Sequence, residues 1–368
     1  MKITNVRTCF SGSNHYVIIE TDQGIRGLGE ATLHTRQMAV DGVLKSLTPV
    51  LVGKDPSRIE FIWQDIFRGT FWRGGPVLMS ALSAVDMALW DIKGKAAGLP
   101  VYQLLGGKCR DKLKAYIHIR GNSPEEVAQD AQRRVEEGYK VLRFCPEAVD
   151  GILDVYQNIR LGLSYAEAIR KAVGQDVQVI YECHTRLTVP AAVKVMNALE
   201  PYDVYFVEDP IRADSPEQFR TLRQRTRVPI GTGEKFGALW DYRTLIEEDL
   251  IDFLRPDICN CGGISSMKKI ASYGEAHYMK LVPHGVHHAA FLAAMQVDFA
   301  VDNFDCQEDW ISQSHPDWLD YDVTFDDGYL TMGDRPGLGV DLIESELRPF
   351  QPSEHPHLRG LDGSVQDW

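Results

Sequence analysis

With 368 residues, 44% of them hydrophobic, the chain is long enough to bury a large core, and length alone favours two domains over one. Its 39 Lys and Arg against 52 Asp and Glu give a net charge of −13 at pH 7, which argues against nucleic acid or an anionic membrane as the main partner. An anionic substrate would need a local positive feature, and a metal ion is one. Seven cysteines (Cys9, Cys109, Cys145, Cys183, Cys259, Cys261 and Cys306) are odd in number and lack CxxC spacing, so they read as reduced thiols of a cytoplasmic protein. The "CNC" at Cys259 to Cys261 has no second thiol pair to complete a metal site. No apolar run approaches the about 18 residues of a membrane span.

In chain order, "MKITNVRTCF", "HYVIIETDQG" and "IRGLGEAT" predict a hairpin-rich sheet turning at Asp22-Gln23-Gly24. "LMSALSAVDMALWDIKGKAAG" repeats apolar residues at three- and four-residue steps and predicts a helix stopping at Gly98-Leu99-Pro100. Residues 1–113 are therefore expected to form an α+β capping domain. Beyond it, short apolar runs alternate with helical stretches: "AYIHI", "KVLRF", "VQVIYE", "VYFVED", "PIGTGE", "IDFLRPD", "MKLVPH" and "FDCQE". Strands alternating with helices indicate parallel βαβ units, and eight units close a (β/α)8-type barrel, expected over 114–330. Residues 331–368 are expected to return to the cap and complete it.

Each run carries a polar residue near its end: His118, Arg143, Glu182, Glu208, Glu234, Asp257, His284 and Glu308. In a parallel barrel all strand C-termini lie on one rim, so these side chains converge there. Glu182, Glu208 and Glu234 fall on consecutive strands, and three carboxylates brought together require a cation to stay ionised. Oxygen-only ligation favours Mg2+ over zinc. Asp257 beside His284 would fix the imidazole tautomer and raise its basicity, with His184 facing them. By strand alternation Glu182 and His184 share a face, while Cys183 points away. His287 and His288 in "HGVHH" read as loop, with a place on the pocket wall open to them.

At this point the chain resembles the enolase superfamily throughout. "SALSAVDMALWDIKGKAAGLPVYQLLGG", "VEDP", "GTGEK", "RPDICNCGGIS" and "RPGLGVD" are similar to its mandelate-racemase-like branch. "FWRGGPV", "AYIHIRG", "RLTVPAAVKVMNALEPYDVYFVEDP", "LIEEDLIDFLRP" and "LDGSVQDW" look most like mannonate and gluconate dehydratases, with galactonate dehydratases second.

The resemblance implies a Mg2+-dependent dehydratase of a sugar acid, which removes the proton α to the carboxylate, expels the β-hydroxyl and yields a 2-keto-3-deoxy acid. It implies Glu182, Glu208 and Glu234 as metal ligands, His184 as the acid assisting hydroxide departure, and His284 with Asp257 as base. Glu308 and Arg143 match further catalytic positions, and Asn14, His118, Arg255 and Trp368 match positions near substrate. Relatives usually assemble, so a homo-oligomer is expected. Three departures stand out. Glu182 replaces the usual Asp, the 146–176 connection is shorter than the one that supplies a basic tyrosine in mannonate dehydratases, and Asp257 is present where those enzymes lack it. Tyr156 and Tyr165 are the tyrosine candidates, and the loops near Asn14 and Trp72 are expected to select the substrate. Competing readings are an epimerase or cycloisomerase using the same enediolate, or a silent member with a regulatory role.

Overall fold

The computed structural model describes every residue except Val149, Asp150, Val286 and Gln313. The alternating N-terminal segments form an antiparallel meander of β1 (Ile3–Ser11), β2 (Asn14–Thr21) and β3 (Arg26–Glu30). Helices α1 (Gln37–Leu51), α2 (Ile59–Arg68) and α3 (Pro76–Ala97) pack on it. A Cβ at Gly29 would stand 2.0 Å from the Ala84 carbonyl oxygen, so only glycine lets β3 lie this close to α3. Most of α3 is buried because its other side meets the barrel. The helix ends, as the sequence predicts, on left-handed Gly98. The short α4 (Val101–Leu104) leads into the second layer.

Eight parallel strands follow: β4 (Leu113–His118), β5 (Val141–Phe144), β6 (Gln178–Glu182), β7 (Phe206–Glu208), β8 (Ile230–Thr232), β9 (Phe253–Leu254), β10 (Lys280–Leu281) and β11 (Gln307–Glu308). Strands β4 to β10 pair in chain order, β11 pairs back onto β4, and a Leu281–Phe304 bridge closes the ring. Between them run α5 (Pro124–Glu136), α6 (Val155–Val173), α7 (Val189–Leu199), α8 (Gln218–Arg225), α9 (Arg243–Glu247), α10 (Gly263–Glu275) and α11 (Ala289–Phe299). Past β11 come strands instead of an eighth helix: β12 (Leu319–Tyr321), β13 (Val323–Asp326), β14 (Tyr329–Met332) and β15 (Val340–Leu342). Of these, β14 pairs antiparallel with β4. The tail then returns to the cap, where Phe350 bridges Gly12, and onward to Arg359, which bridges Ile152.

The barrel interior is plugged by Tyr116, Val141, Ile180, Phe206, Phe253, Val282 and Cys306. Side chains of a strand alternate, so the residue two places on rises above this plug on the same face. Those residues are His118, Arg143, Glu182, Glu208, Arg255, His284 and Glu308. Strand β8 is the exception. At its inward position stands Gly231, where a Cβ would lie 2.8 Å from the Phe206 ring, which stacks on Phe253 with centroids 4.4 Å apart. The polar residue of β8 is therefore delayed to Glu234, beyond the strand end.

Candidate active site

The floor of the site is an alternating charge network. Fully buried Arg255 sits 2.6 Å from Glu208 Oε1 and 3.2 Å from Glu308 Oε2, and donates to the Val282 carbonyl. Above it, Arg143 reaches Glu208 Oε2 at 3.1 Å, pairs with Glu182, and lies 3.1 Å from the His118 ring nitrogens. His118 Nε2 in turn meets Glu308 Oε1 at 2.5 Å. Burying so many charges is tolerable only because each acid has a cationic or donor partner.

Electrostatics divide the acids. Burial and the neighbouring Glu208 push Glu182 well above its ordinary range. Burial also opposes ionisation of Glu208, but Arg143 and Arg255 outweigh it and hold this group low. Glu308 is held well below the usual carboxylate range, because the His118 hydrogen bond and the His118, His284 and Arg255 charges overcome its burial.

Among the described residues, Glu182, Glu208 and Asp209 bring ligand oxygens within 4.8 Å of one another, all from buried side chains. Asp209 rises to about 7, through burial first and then the charges of Glu234 and Glu208. Asp209 Oδ2 is buried without a hydrogen-bond partner, while Glu208 Oε1 is met by Arg255 alone. Crowded, oxygen-only and incompletely satisfied, this set fits a hard divalent cation. It differs from the expected trio. Glu234, past the end of β8, points its Oε2 to His284 Nε2 at 3.5 Å.

His284 is oriented through Nδ1, 2.7 Å from Asp257 Oδ2, while Asp257 Oδ1 accepts the Cys259 backbone N–H. Burial lowers its pKa, but Glu234, the Asp257 hydrogen bond and Glu308 together raise it to about 10. His184 is the opposite case. Burial, then the Arg186, Arg143 and Lys235 charges, lower it to about 3.

Strand alternation does not place His184. Strand β6 ends at Glu182, and His184 is left-handed (φ 54°), with its backbone N–H donating to the Glu182 carboxylate. The same kind of turn explains why Asp209 escaped sequence reasoning. Alternation points it away from Glu208, but its φ of 41° just past β7 folds it back, and only its place in "VEDP" could have flagged it.

A cavity of about 890 Å3 opens above this floor, within the range of small-molecule sites. His118, Arg143, His184, Glu234, Asp257, His284 and Glu308 line it from the barrel, Thr32 to Thr35 from the cap, and Ser353, Glu354, Pro356, Leu358 and Trp368 from the tail. Trp368 lies against the His184 ring with centroids 5.5 Å apart. His287 lines the wall, as do Arg120, Glu147, Arg186, Lys235 and Trp310, which sequence reasoning did not single out. Arg120, Arg186 and Lys235 stand within the motifs "AYIHIRG", "RLTVPAAV" and "GTGEK", each one or two residues past the polar residue taken as the end of its strand or turn.

Several expected residues are elsewhere. Arg255 is sealed beneath the floor by its two acids, and Asn14 donates to the Ser11 carbonyl, so neither lines the cavity. Trp72 is 81% exposed, and Tyr156 also faces solvent, whereas Tyr165 is buried and donates to the Gly121 carbonyl. No helix among the described residues is long and apolar enough to cross a membrane.

A closed parallel barrel with buried acids and paired histidines at its C-terminal rim, covered by an α+β cap, defines a class of barrel in which the cap and the strand ends together enclose the site. The chain belongs to the enolase superfamily: residues 4–106 match the mandelate racemase/muconate lactonizing enzyme N-terminal domain, and residues 126–346 match the enolase C-terminal domain-like family. It is 38% identical to a D-mannonate dehydratase of Caulobacter vibrioides, over 95% of this chain and 94% of that one. It is also 38% identical to a D-galactonate dehydratase family member of Pseudarthrobacter chlorophenolicus, over 95% of each. The crystal structure of an enolase from Pantoea ananatis with bound D-gluconate and Mg superimposes with a TM-score of 0.93 at 34% identity, covering 99% of both chains.

Proposed function

We propose that the protein is a hydro-lyase that dehydrates a sugar acid, an aldonate such as mannonate, gluconate or galactonate, to its 2-keto-3-deoxy product. The observation that carries this reading is the pair of histidines on one cavity beside a buried acid cluster, in a chain whose relatives are named dehydratases. Glu182 and Glu208, with Glu234 or Asp209 as the third acid, would hold Mg2+. When bound, the ion supplies positive charge next to the substrate carboxylate, where negative charge builds as the α-proton leaves.

The chain's own residues perform the rest. Asp257 holds His284 Nδ1, leaving Nε2 toward the cavity to take the proton from C2. Glu234 is the strongest charge raising His284, so were Glu234 to hold the ion, the imidazole would shift toward its basic form. Electrons from the broken C2–H bond form the C2–C3 double bond, and the C3–O bond breaks with a proton from His184, releasing water. His184 is neutral without substrate and takes that proton up from solvent as the anionic substrate offsets the Arg186, Arg143 and Lys235 charges. The resulting enol becomes the 2-keto acid. Glu308, ionised, holds His118 and Arg255 in place beneath the substrate, and Arg143, His118 and Trp368 frame it.

A panel of aldonates assayed for 2-keto product with semicarbazide tests the reading. One or more members are expected to react, and turnover should vanish on chelation and return with Mg2+. Solvent deuterium at Cα without keto product from any member would overturn dehydration.

A further inference from the structure

Arg186 lines the main cavity beside His184 and Thr185, and also borders the hollow at the start of α7. Its Nε is buried with no hydrogen-bond partner. Among the described residues its guanidinium pairs with no carboxylate, and its recorded polar contact is Cys145 Sγ at 3.9 Å. Arg143 and Arg255, by contrast, each bind two acids. Lys235 shares this wall, 3.3 Å from Thr185 Oγ1, and it too pairs with no carboxylate among the described residues. A protein carrying 52 acidic residues thus leaves two cations unpaired on one side of its cavity. A half-buried guanidinium without an anion is an unfilled recognition element.

We infer that Arg186 recognises an anionic group at the end of the substrate remote from the reacting carboxylate. The inference rests on the dehydration proposed above, which puts C1 at the acid cluster, C2 at His284 and C3 at His184. Carbons beyond C3 then run past His184 to the wall that Arg186 occupies. A guanidinium binds a carboxylate or phosphate through parallel N–H donors, whereas a neutral hydroxymethyl group offers one weaker acceptor. The ligand class is accordingly an aldaric acid or a terminally phosphorylated aldonic acid. Glu147, on the same cavity but beyond pairing distance of Arg186, is free to accept from a hydroxyl.

The test compares kcat/KM for an aldonate, the matching aldarate and the matching 6-phosphoaldonate, in the wild-type protein, Arg186→Gln and Arg186→Lys. In Arg186→Gln the preference for at least one dianion relative to the aldonate should fall by about tenfold or more, the scale of one charge-assisted hydrogen bond, and the loss should appear in KM. Arg186→Lys should restore part of it. Whichever ratio falls identifies carboxylate or phosphate as the group read. Aldonate turnover with both ratios unchanged in Arg186→Gln overturns the role of Arg186 alone. Absence of keto product from every compound removes the dehydration reading, and this inference with it.

Discussion

His284 and His184 differ because their neighbours differ in sign: acids surround the first and cations the second. Replacing His284 with Asn is expected to abolish exchange of the Cα proton, followed by mass spectrometry in D2O. His184→Asn should block dehydration while exchange continues. Full exchange in the His284 variant would move the base elsewhere. Glu234→Gln removes the strongest charge that raises His284, so the imidazole should titrate lower than about 10, visible by NMR.

A residue far from the chemistry carries a pH signature. His15 is fully buried, stacked on Phe10 with centroids 4.3 Å apart, and 3.5 Å from Asp41. Burial lowers its pKa to about 4 despite the Asp41 charge. The unfolded chain binds a proton near pH 6.5 that the folded chain refuses, so stability is lost as pH falls from about 6.5 to 4, by about 3 kcal/mol. Urea midpoints across that range should drop less steeply in His15→Asn.

At the scale of elements, the short strands β8, β9 and β10 are set by what they pack on. Strand β8 yields its inward position to the Phe206–Phe253 stack. Gly231→Ala is expected to destabilise by about 1 to 3 kcal/mol, through overpacking against rings that cannot retreat. A urea midpoint unchanged in Gly231→Ala would mean that the stack moves freely. The short 146–176 connection places Glu147 and Ala148, not a tyrosine, on the cavity wall.

In the whole molecule, cap and barrel are joined by buried carboxylates set at barrel helix N-termini. Asp86 of α3 accepts from the Ser265 backbone and hydroxyl at the start of α10, and Glu30 of β3 accepts from Ala290 at the start of α11. Such ends carry unpaired N–H groups and partial positive charge, so an acid from another layer fits them. Asp86→Ala leaves the buried Ser265 N–H unsatisfied and should cost about 1 to 3 kcal/mol in chemical denaturation. Because the cap and tail complete the cavity wall, this variant should also raise KM for the substrate.

The sequence by itself determined the strand order, the end of α3 at Gly98 and the closeness of Asp257 to His284, because each follows from local periodicity or from adjacency of consecutive barrel strands. Only the tertiary structure decided that Arg255 lies under the floor, that Asp209 joins Glu182 and Glu208, and that Arg186 stands unpaired. Those outcomes depend on left-handed turns just beyond strand ends and on which charges neutralise one another across the barrel. Pairings between residues distant in the chain leave no periodic trace in it.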